Sequence, residues 1–320
     1  MKKQIIAAAV AATMTSVAIA DISITGSTKV NYTAKDFDNN TTSNAVSTEH
    51  DLKITGKNGD TTVVISMEAD DADNGSSYSG LDLEDVYMTS KVGDINVKAG
   101  DWDNGNNFLR GSTRTNNMLE ASTSFGPIGV TYSSGAGTLT DKVTVSTDVS
   151  GVGLKYVTQR EDNEVVVSTN VAGVGIKYHL DNNNAANTDK SSLELTGKVG
   201  DFGVSFVTID TDSGATADGD TWAGDFEGTT TGGYKYQAGA DIDAIMLTTS
   251  LAGNGVKFIH TSVDADGSVG STRDADNNKV VVTRPLASGA TFELTYTSQD
   301  VTGSTSETQD TLDLELAVKF

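Results

Sequence analysis

The segment that decides the fold class is Thr311-Leu312-Asp313-Leu314-Glu315-Leu316-Ala317-Val318-Lys319-Phe320, in which apolar and polar residues alternate. Its even-numbered residues are all apolar, whereas its odd-numbered residues include two acids and a lysine. Successive side chains of a β-strand point to opposite faces, so the segment predicts a strand with one apolar and one charged face. The same alternation recurs along the chain, for example over residues 22–32 and 50–56. The sequence therefore predicts an all-β protein.

The first twenty residues are typical of a cleaved secretory signal. Lys2 and Lys3 precede an apolar run over residues 5–12, and Ala18-Ile19-Ala20 matches an A-x-A cleavage site. We therefore expect residues 1–20 to be removed and residues 21–320 to form a single domain. Without the two lysines, the 22 basic residues become 20 against 44 acidic residues, a formal charge of about −24.

Composition excludes several classes of protein. The chain has no cysteine, so it has neither disulfides nor thiolate metal sites. No apolar run after the signal approaches the roughly 20 residues of a transmembrane helix. The strong acidity argues against a nucleic-acid partner. The sequence contains no nucleophile elbow and no phosphate-binding loop, and its histidines are isolated. We therefore expect no enzymatic activity, no cofactor and no metal site.

One unit occurs five times in the middle of the chain: a glycine turn, then an apolar residue, then an aromatic residue of the same parity. The closest copies are residues 150–156, 172–178 and 252–258, and looser copies are 125–132 and 199–206. The aromatic residues would stand at one height on the apolar face, as an interfacial aromatic girdle requires. These predicted girdle residues are Tyr132, Tyr156, Tyr178, Phe206 and Phe258. The alternative is that Tyr and Phe are simply good strand formers.

Short and long connections alternate along the sequence, which predicts an antiparallel meander with all short turns at one end. Short turns are predicted near Asn58, Gly93, Gly126, Gly151, Gly173, Gly200, Gly253 and Ser288. Long polar segments occupy roughly 36–45, 70–80, 101–113, 134–140, 181–190, 211–232, 262–277 and 299–308. The tight segment 161–163 is an exception. The pattern supports 18 strands, or 16 if the weak segments 81–86 and 232–243 are left out.

Three features favour a closed transmembrane β-barrel over a soluble sandwich. A sheet of 16 to 18 strands would have long open edges, which closure removes. The apolar face mixes Gly, Ala and Thr with Val and Leu, as suits a lipid-facing surface that does not interlock like a core. The opposite face is rich in Lys, Glu, Thr and Ser, as suits a wet lumen. We therefore expect short periplasmic turns, long extracellular loops and an aqueous channel.

Several segments taken together resemble the Gram-negative general diffusion porins over essentially the whole of residues 21–320. They are Leu83-Glu84-Asp85-Val86-Tyr87-Met88, residues 92–100, Arg114-Thr115-Asn116-Asn117-Met118 and residues 125–132. The terminal Phe320 matches the assembly signal of that family. The resemblance implies a homotrimer in the bacterial outer membrane, in contact with its lipid and lipopolysaccharide. It also implies that the third long loop, about residues 101–113, folds into the lumen as a constriction.

The sequence departs from that family at the start of this loop. The family pattern has a basic residue directly after the glycine that ends the fifth strand, whereas this chain has Asp101 and then Asp103. The candidate cations around the constriction are Lys29, Lys53, Lys98 and Lys155 on the lumen face, with Arg110 and Arg114 in or beside the loop. We expect acidic groups to dominate the mouth and to favour cations. The alternative for each residue is a solvated charge without a selective role.

These observations predict an outer-membrane porin that forms a water-filled channel for passive diffusion of small hydrophilic solutes and ions. Two alternatives stay open. One is a substrate-selective porin, which a count of 18 strands would favour. The other is a secreted or surface β-rich adhesion or S-layer-like protein whose Asp-rich loops bind calcium.

Overall fold

A computed structural model describes residues 21–37, 41–70, 81–103, 109, 114–135, 141–159, 162–183, 188–212, 239–265, 274–302 and 307–320. The predicted signal segment 1–20 lies outside these residues, as does most of the predicted third loop. Among the described residues, the structure has no helix with the length and apolar character needed to cross a membrane.

The described chain forms one 18-stranded antiparallel sheet that closes on itself. Its strands are β1 (Asp21–Phe37), β2 (Thr41–Asn58), β3 (Thr61–Asp70), β4 (Asp82–Val92), β5 (Ile95–Asp103), β6 (Arg114–Phe125), β7 (Ile128–Ser134), β8 (Lys142–Val149), β9 (Val152–Gln159), β10 (Asp162–Val171), β11 (Val174–Asn183), β12 (Thr188–Val199), β13 (Phe202–Thr211), β14 (Ala240–Leu251), β15 (Asn254–Ala265), β16 (Asp274–Pro285), β17 (Ala290–Thr302) and β18 (Glu307–Lys319).

The barrel closes because β1 pairs with both β2 and β18, while each of β2 to β17 pairs with its two neighbours in sequence. The last residue completes the seam: the Phe320 N–H donates to the Gly26 carbonyl, and the Gly26 N–H donates to the Phe320 carbonyl, at 3.0 and 2.9 Å. The predicted closed antiparallel barrel is confirmed, with the larger of the two strand counts. The weak segment 81–86 belongs to the start of β4.

The short turns are the best-predicted connections, because their geometry is local. All eight predicted short turns join consecutive strands. Ala172 and Gly173 both have positive φ, 52° and 86°, which is typical of the type I′ turn that suits the twist of a hairpin. Ser150-Gly151 and Ala252-Gly253 repeat this pattern, so three copies of the repeated sequence unit begin with the same turn.

Some of the predicted long connections overlap strands of the structure. The expected loop 36–45 is wrong in its bounds, because β1 continues to Phe37 and β2 begins at Thr41. The segments 181–190 and 299–308 are likewise partly strand. These segments are rich in Asn, Asp, Ser and Thr, which predicted loops. In the structure the same residues lengthen the strands beyond the apolar belt, where both faces of the sheet are polar.

The two faces of the sheet differ in exposure. The exposed large apolar side chains of the strands all fall on one parity, the one that contains Leu316, Val30 and Tyr156. The opposite parity contains Lys29, Glu49 and almost all of the buried side chains. Side chains inside a closed barrel converge and cover one another, so the second parity faces the lumen. The first parity forms the outer surface and has the character of a lipid-facing belt.

Candidate functional site

The lumen face is the candidate site, and its most regular feature is the position of the lysines. Every lysine in the described strands falls on the lumen-facing parity by the strand register. These are Lys29, Lys35, Lys53, Lys57, Lys91, Lys98, Lys142, Lys155, Lys177, Lys190, Lys198, Lys257, Lys279 and Lys319. An ammonium group is costly in hydrocarbon and well solvated in water, so this distribution fits an aqueous interior.

A patch of carboxylates lies on the lumen face where β2 and β3 pair. The carboxylates of Glu49, Asp51 and Glu68 lie within 4.8 Å of one another. Lys29 donates to Glu49 at 2.5 Å, and the Ser27 hydroxyl donates to Asp51 at 2.6 Å. We call Glu49, Asp51 and Glu68 the acidic patch. Glu315 on β18 adds to the negative charge nearby, since it interacts with Glu49.

Lys98, one of the predicted cations, lies over two aromatic rings. Its Nζ is 4.2 Å from the ring centroids of both Tyr87 and Trp102, which is within range of a cation–π interaction. The two rings meet edge to face with centroids 6.3 Å apart. Glu120 lies opposite Lys98 in the β5–β6 register. This cluster stands on β4 to β6, at the base of the third loop.

A second group of charges runs across β9 to β12, and we call it the charged wall. Lys155 donates to Glu164 at 2.7 Å, and Glu164 lies 3.5 Å from the His179 ring. Asp181 lies 3.7 Å from Lys190 on the next strand. Glu164, His179 and Asp181 are each more than nine-tenths buried. Each charge has an opposite charge or a polar ring beside it, so the wall is polar while its charges are balanced.

Lys190 also binds the third loop. Its Nζ donates to the Leu109 carbonyl at 2.8 Å, and the Leu109 side chain is fully buried in an apolar cluster on the lumen side of the barrel. We call this cluster, without Leu109, the buried wall. It comprises Val207, Ile209, Ala240, Ile242, Ala244, Val263, Ala275 and Val301. These residues come from β13 to β17, mostly from the strand halves away from the short turns.

The buried wall corrects one expectation from the sequence. The lumen face was expected to be rich in polar residues and too polar to pack, but on β13 to β17 it carries Val, Ile and Ala residues that are at most 4% exposed. In these strands apolar residues occupy both parities, as Ala244, Ile245 and Met246 illustrate. Alternation therefore does not separate the two faces there, and the sequence pattern gave no signal for the wall.

The predicted acids of the constriction lie at the base of the third loop. Asp101 pairs with Val86, which faces outwards, and its carboxylate accepts the Asn117 N–H at 2.5 Å. The Asp103 N–H donates to the Asp85 carboxylate at 3.1 Å, and the Asp103 side chain is exposed. Arg114 is the first residue of β6, but the structure describes only its backbone. Arg110 lies outside the described residues.

The structure does not bring the predicted wall cations into one group. Lys29 is held by the acidic patch, Lys98 by its two rings and Lys155 by Glu164. Lys53 lies on the lumen face of β2, opposite Thr25 and Ser66, and is exposed. Glu164, Asp181 and Lys190 could not be recognised as partners from the sequence, because their contacts depend on the register between strands. His179 is isolated in the sequence, and the same register brings it to Glu164.

The predicted girdle residues are all on the outer face, and each is the fifth residue of its strand. They are Tyr132, Tyr156, Tyr178, Phe206 and Phe258. At a rise of about 3.3 Å per residue they stand ~13 Å along the strand from the turn. Phe125, Phe202 and Phe320 lie nearer the turn end and are half or more exposed. Phe320 also packs its ring over Gly26, where an added Cβ would come within 2.6 Å of it.

Comparison with solved structures finds the same architecture in several proteins. OccAB4 of Acinetobacter baumannii has a TM-score of 0.66 at 10% identity, with 94% of this chain and 98% of that chain covered. OccK3 (OpdO) and OccK2 (OpdF) of Pseudomonas aeruginosa each have a TM-score of 0.67, at 9% and 10% identity. They cover 94% of this chain and 96% and 98% of their own. The fold is that of an outer-membrane porin.

Comparisons by sequence give no match to a family or to a curated protein. At about a tenth identity, the structural neighbours share the porin fold through alternation, turn geometry and closure, which many different sequences satisfy.

Proposed function

We propose that this protein is an outer-membrane porin, a water-filled channel through which small hydrophilic solutes and ions diffuse passively. The observation that carries the proposal is the division between the two faces of a closed barrel. Large exposed apolar side chains lie outside, while every lysine of the described strands lies inside. A barrel of 16 to 18 strands is wide enough to leave an aqueous lumen.

Within this proposal, residues 101–113 narrow the lumen. β5 ends at Asp103 and β6 begins at Arg114 on one side of the barrel. Leu109, which lies between them in sequence, is bonded to Lys190 of β12 and buried against β13 to β17 on another side. The position of Leu109 against β12 to β17 supports a third loop that enters the lumen.

The acidic patch supports a preference for cations. Three carboxylates within 4.8 Å raise the local concentration of cations in a water-filled pore. In the charged wall, Lys155 and Lys190 each lie beside a carboxylate, so their charge is offset. The acidic patch therefore supports the proposed cation preference better than Asp101 and Asp103 do. The Asp101 carboxylate already accepts the Asn117 backbone N–H.

The proposal also includes the outer membrane as the location, lipid and lipopolysaccharide as the surroundings, and a homotrimer as the assembly. The exposed apolar belt supports the membrane location. The trimer is supported by the resemblance to general diffusion porins. A soluble adhesion protein fits less well, because a soluble surface does not expose large apolar side chains around a whole barrel.

Swelling of proteoliposomes tests the channel directly. Vesicles that contain the purified protein are diluted into iso-osmotic solutions of uncharged sugars of increasing size. We expect rapid swelling with small sugars and slower swelling with larger ones, because the pore filters by size. Protein-free vesicles are the control. Vesicles with folded, inserted protein that swell no faster than the control would contradict the proposal.

A further inference from the structure

His179 is the one histidine of the chain that faces the lumen. The chain has three histidines, and all of them lie in described strands. His50 and His260 lie on the parity of the outer face, whereas His179 lies on the parity of the lumen face. Histidine is the side-chain type that ordinarily changes its charge between about pH 5 and pH 8. Among the lumen-facing side chains of the described strands, His179 is therefore the natural candidate for a charge that depends on pH.

The His179 ring is enclosed between β10 and β12. It is 3% exposed, and its direct partners in the register are Val166 and Ser192. One step towards the loop end of the barrel, Glu164 lies directly opposite Asp181. Both of these carboxylates are more than nine-tenths buried. Charges interact more strongly where little water separates them, so the ring and the two carboxylates influence one another.

The Nε2 atom of His179 faces a carboxylate without a hydrogen bond. It lies 3.5 Å from the Glu164 Oε1 and has no hydrogen-bond partner among the described residues. The same oxygen accepts a hydrogen bond from Lys155 at 2.7 Å. In an imidazolium both ring nitrogens carry a proton, so a protonated ring places a donor beside Glu164. Uptake of a proton needs no cavity and displaces nothing that covers the ring.

The strands around the ring contribute equal numbers of cations and carboxylates on the lumen face. They are Lys155 on β9, Glu164 on β10, Lys177 and Asp181 on β11, and Lys190 and Glu194 on β12. These three lysines and three carboxylates sum to zero while the ring is neutral. Protonation of His179 therefore gives the charged wall one additional positive charge that no further carboxylate offsets.

We propose that His179 is a specificity-determining residue of the channel, which makes the ion preference of the pore depend on pH. With a neutral ring, the charged wall is balanced and the acidic patch sets the preference for cations. In acid, the additional positive charge repels cations and attracts anions in the lumen, so the preference for cations weakens. This inference rests on the proposed function, because it concerns the same ion pathway.

The test uses the full-length protein and three variants in a planar bilayer. His179→Gln and His179→Asn each replace the ring by a neutral amide that does not titrate. The combined His50→Gln and His260→Gln variant is the control, because both residues lie on the outer face. Reversal potentials under a gradient of low salt are measured from about pH 8 to about pH 5.5, where ordinary carboxylates stay mostly ionised. In parallel, NMR follows the histidine ring signals in detergent micelles.

We expect the cation-to-anion permeability ratio of the native protein to fall by about 1.5-fold or more over this range, because one charge is added beside the ion path. Both His179 variants should change much less, and the control should follow the native protein. At about pH 8 all variants should have the native ratio, since neutral histidine and the amides carry the same charge. The NMR signal that is missing in His179→Gln should titrate with the midpoint of the change in ratio.

Either of two results would overturn the inference. One is a constant permeability ratio in the native protein over this range, which decides the matter even if the His179 variants do not fold. The other is the same pH dependence in the native protein and in both His179 variants. Absence of ion current at every pH would instead contradict the channel itself, and this inference with it, even where NMR shows that His179 takes up a proton.

Discussion

The charged wall and the buried wall line the same lumen but differ strongly in polarity. On β9 to β12 the lumen face carries Lys155, Glu164 and Asp181, each beside an opposite charge. On β13 to β17 it carries Val207, Ile242 and Val263, each at most 2% exposed. The strands themselves are alike in pairing and direction. The difference therefore lies in side chains alone.

This difference indicates that the two walls have different roles. Paired charges are well suited to a surface that water and ions pass, since each charge keeps a partner or its hydration. An apolar wall inside an aqueous lumen suits a different role, which is to hold a covering segment by apolar burial. Leu109 is buried against that wall, and Lys190 at the edge of the charged wall donates to its carbonyl. The two walls therefore meet where Leu109 is bound.

The largest expected effect comes from placing a charge in the buried wall. Val263→Asp buries an unpaired carboxylate among apolar side chains, which should lower the free energy of unfolding by about 3 kcal/mol or more. Thr144→Asp, on the lumen face of β8, should change it by less than about 0.5 kcal/mol. The measurement is equilibrium urea unfolding of the protein folded in lipid vesicles. Equal losses for the two variants would remove the distinction between the walls.

A smaller effect is expected from Lys190→Met, which removes the bond to the Leu109 carbonyl and the ion pair with Asp181. Hydrogen bonds to charged groups contribute roughly 1.5–3 kcal/mol, so the population with a displaced third loop should rise about tenfold or more. In single-channel recordings, a larger population with a displaced third loop should appear as more frequent transitions between conductance levels. Lys177→Met, on the lumen face of the adjacent strand, is the control. Steady current in Lys190→Met would mean that this bond does not hold the loop.

Neutralising the acidic patch should change selectivity without changing stability much. The combined Glu49→Gln, Asp51→Asn and Glu68→Gln variant should lower the cation-to-anion permeability ratio by about twofold or more at low salt. The effect should fade at 1 M salt, where the Debye length is about 3 Å. Asp276→Asn removes an exposed carboxylate from the outer face and should leave the ratio unchanged. An unchanged ratio in the triple variant would refute the role of the patch.

The smallest effect is expected from the acids that the sequence placed at the constriction. Replacing Asp101 and Asp103 by Asn should shift the reversal potential slightly towards anions. The shift should be smaller than that of the acidic patch, because the Asp101 carboxylate is already bonded to the Asn117 N–H. The shifts of both variants, the Asp101 and Asp103 variant and the acidic-patch variant, are measured as reversal potentials under a salt gradient. No shift at all would exclude these two acids from the selectivity of the pore.

Local patterns were enough to predict the barrel. The alternation of residues 311–320 fixed both faces of β18, and Gly173 in its turn fixed a hairpin, because neither depends on distant residues. Contacts across strands could not be predicted in this way. That Glu164 reaches both Lys155 and His179 follows from the register of β9, β10 and β11, which a shift of one residue would reverse.

The apolar residues of the lumen face show a second limit of the sequence pattern. Alternation identifies an inner face only where the inner face is polar, and Ala244, Val263 and Ala275 are apolar residues that face inwards. Direct pairing across β16, β17 and β18 places Asn277, Gln299 and Gln309 side by side on the lumen face, which no local pattern shows. Each amide taken alone is an ordinary polar residue of a strand.

The most direct test of the central claim is the conductance of the purified protein in a planar bilayer, with the reversal potential measured under a salt gradient. We predict stepwise ion conductance, with steps in groups of three for a trimer and a reversal potential shifted towards cations. Conductance with an anion preference would keep the channel and contradict the role of the acidic patch. A folded, inserted protein that conducts no ions would contradict the account as a whole.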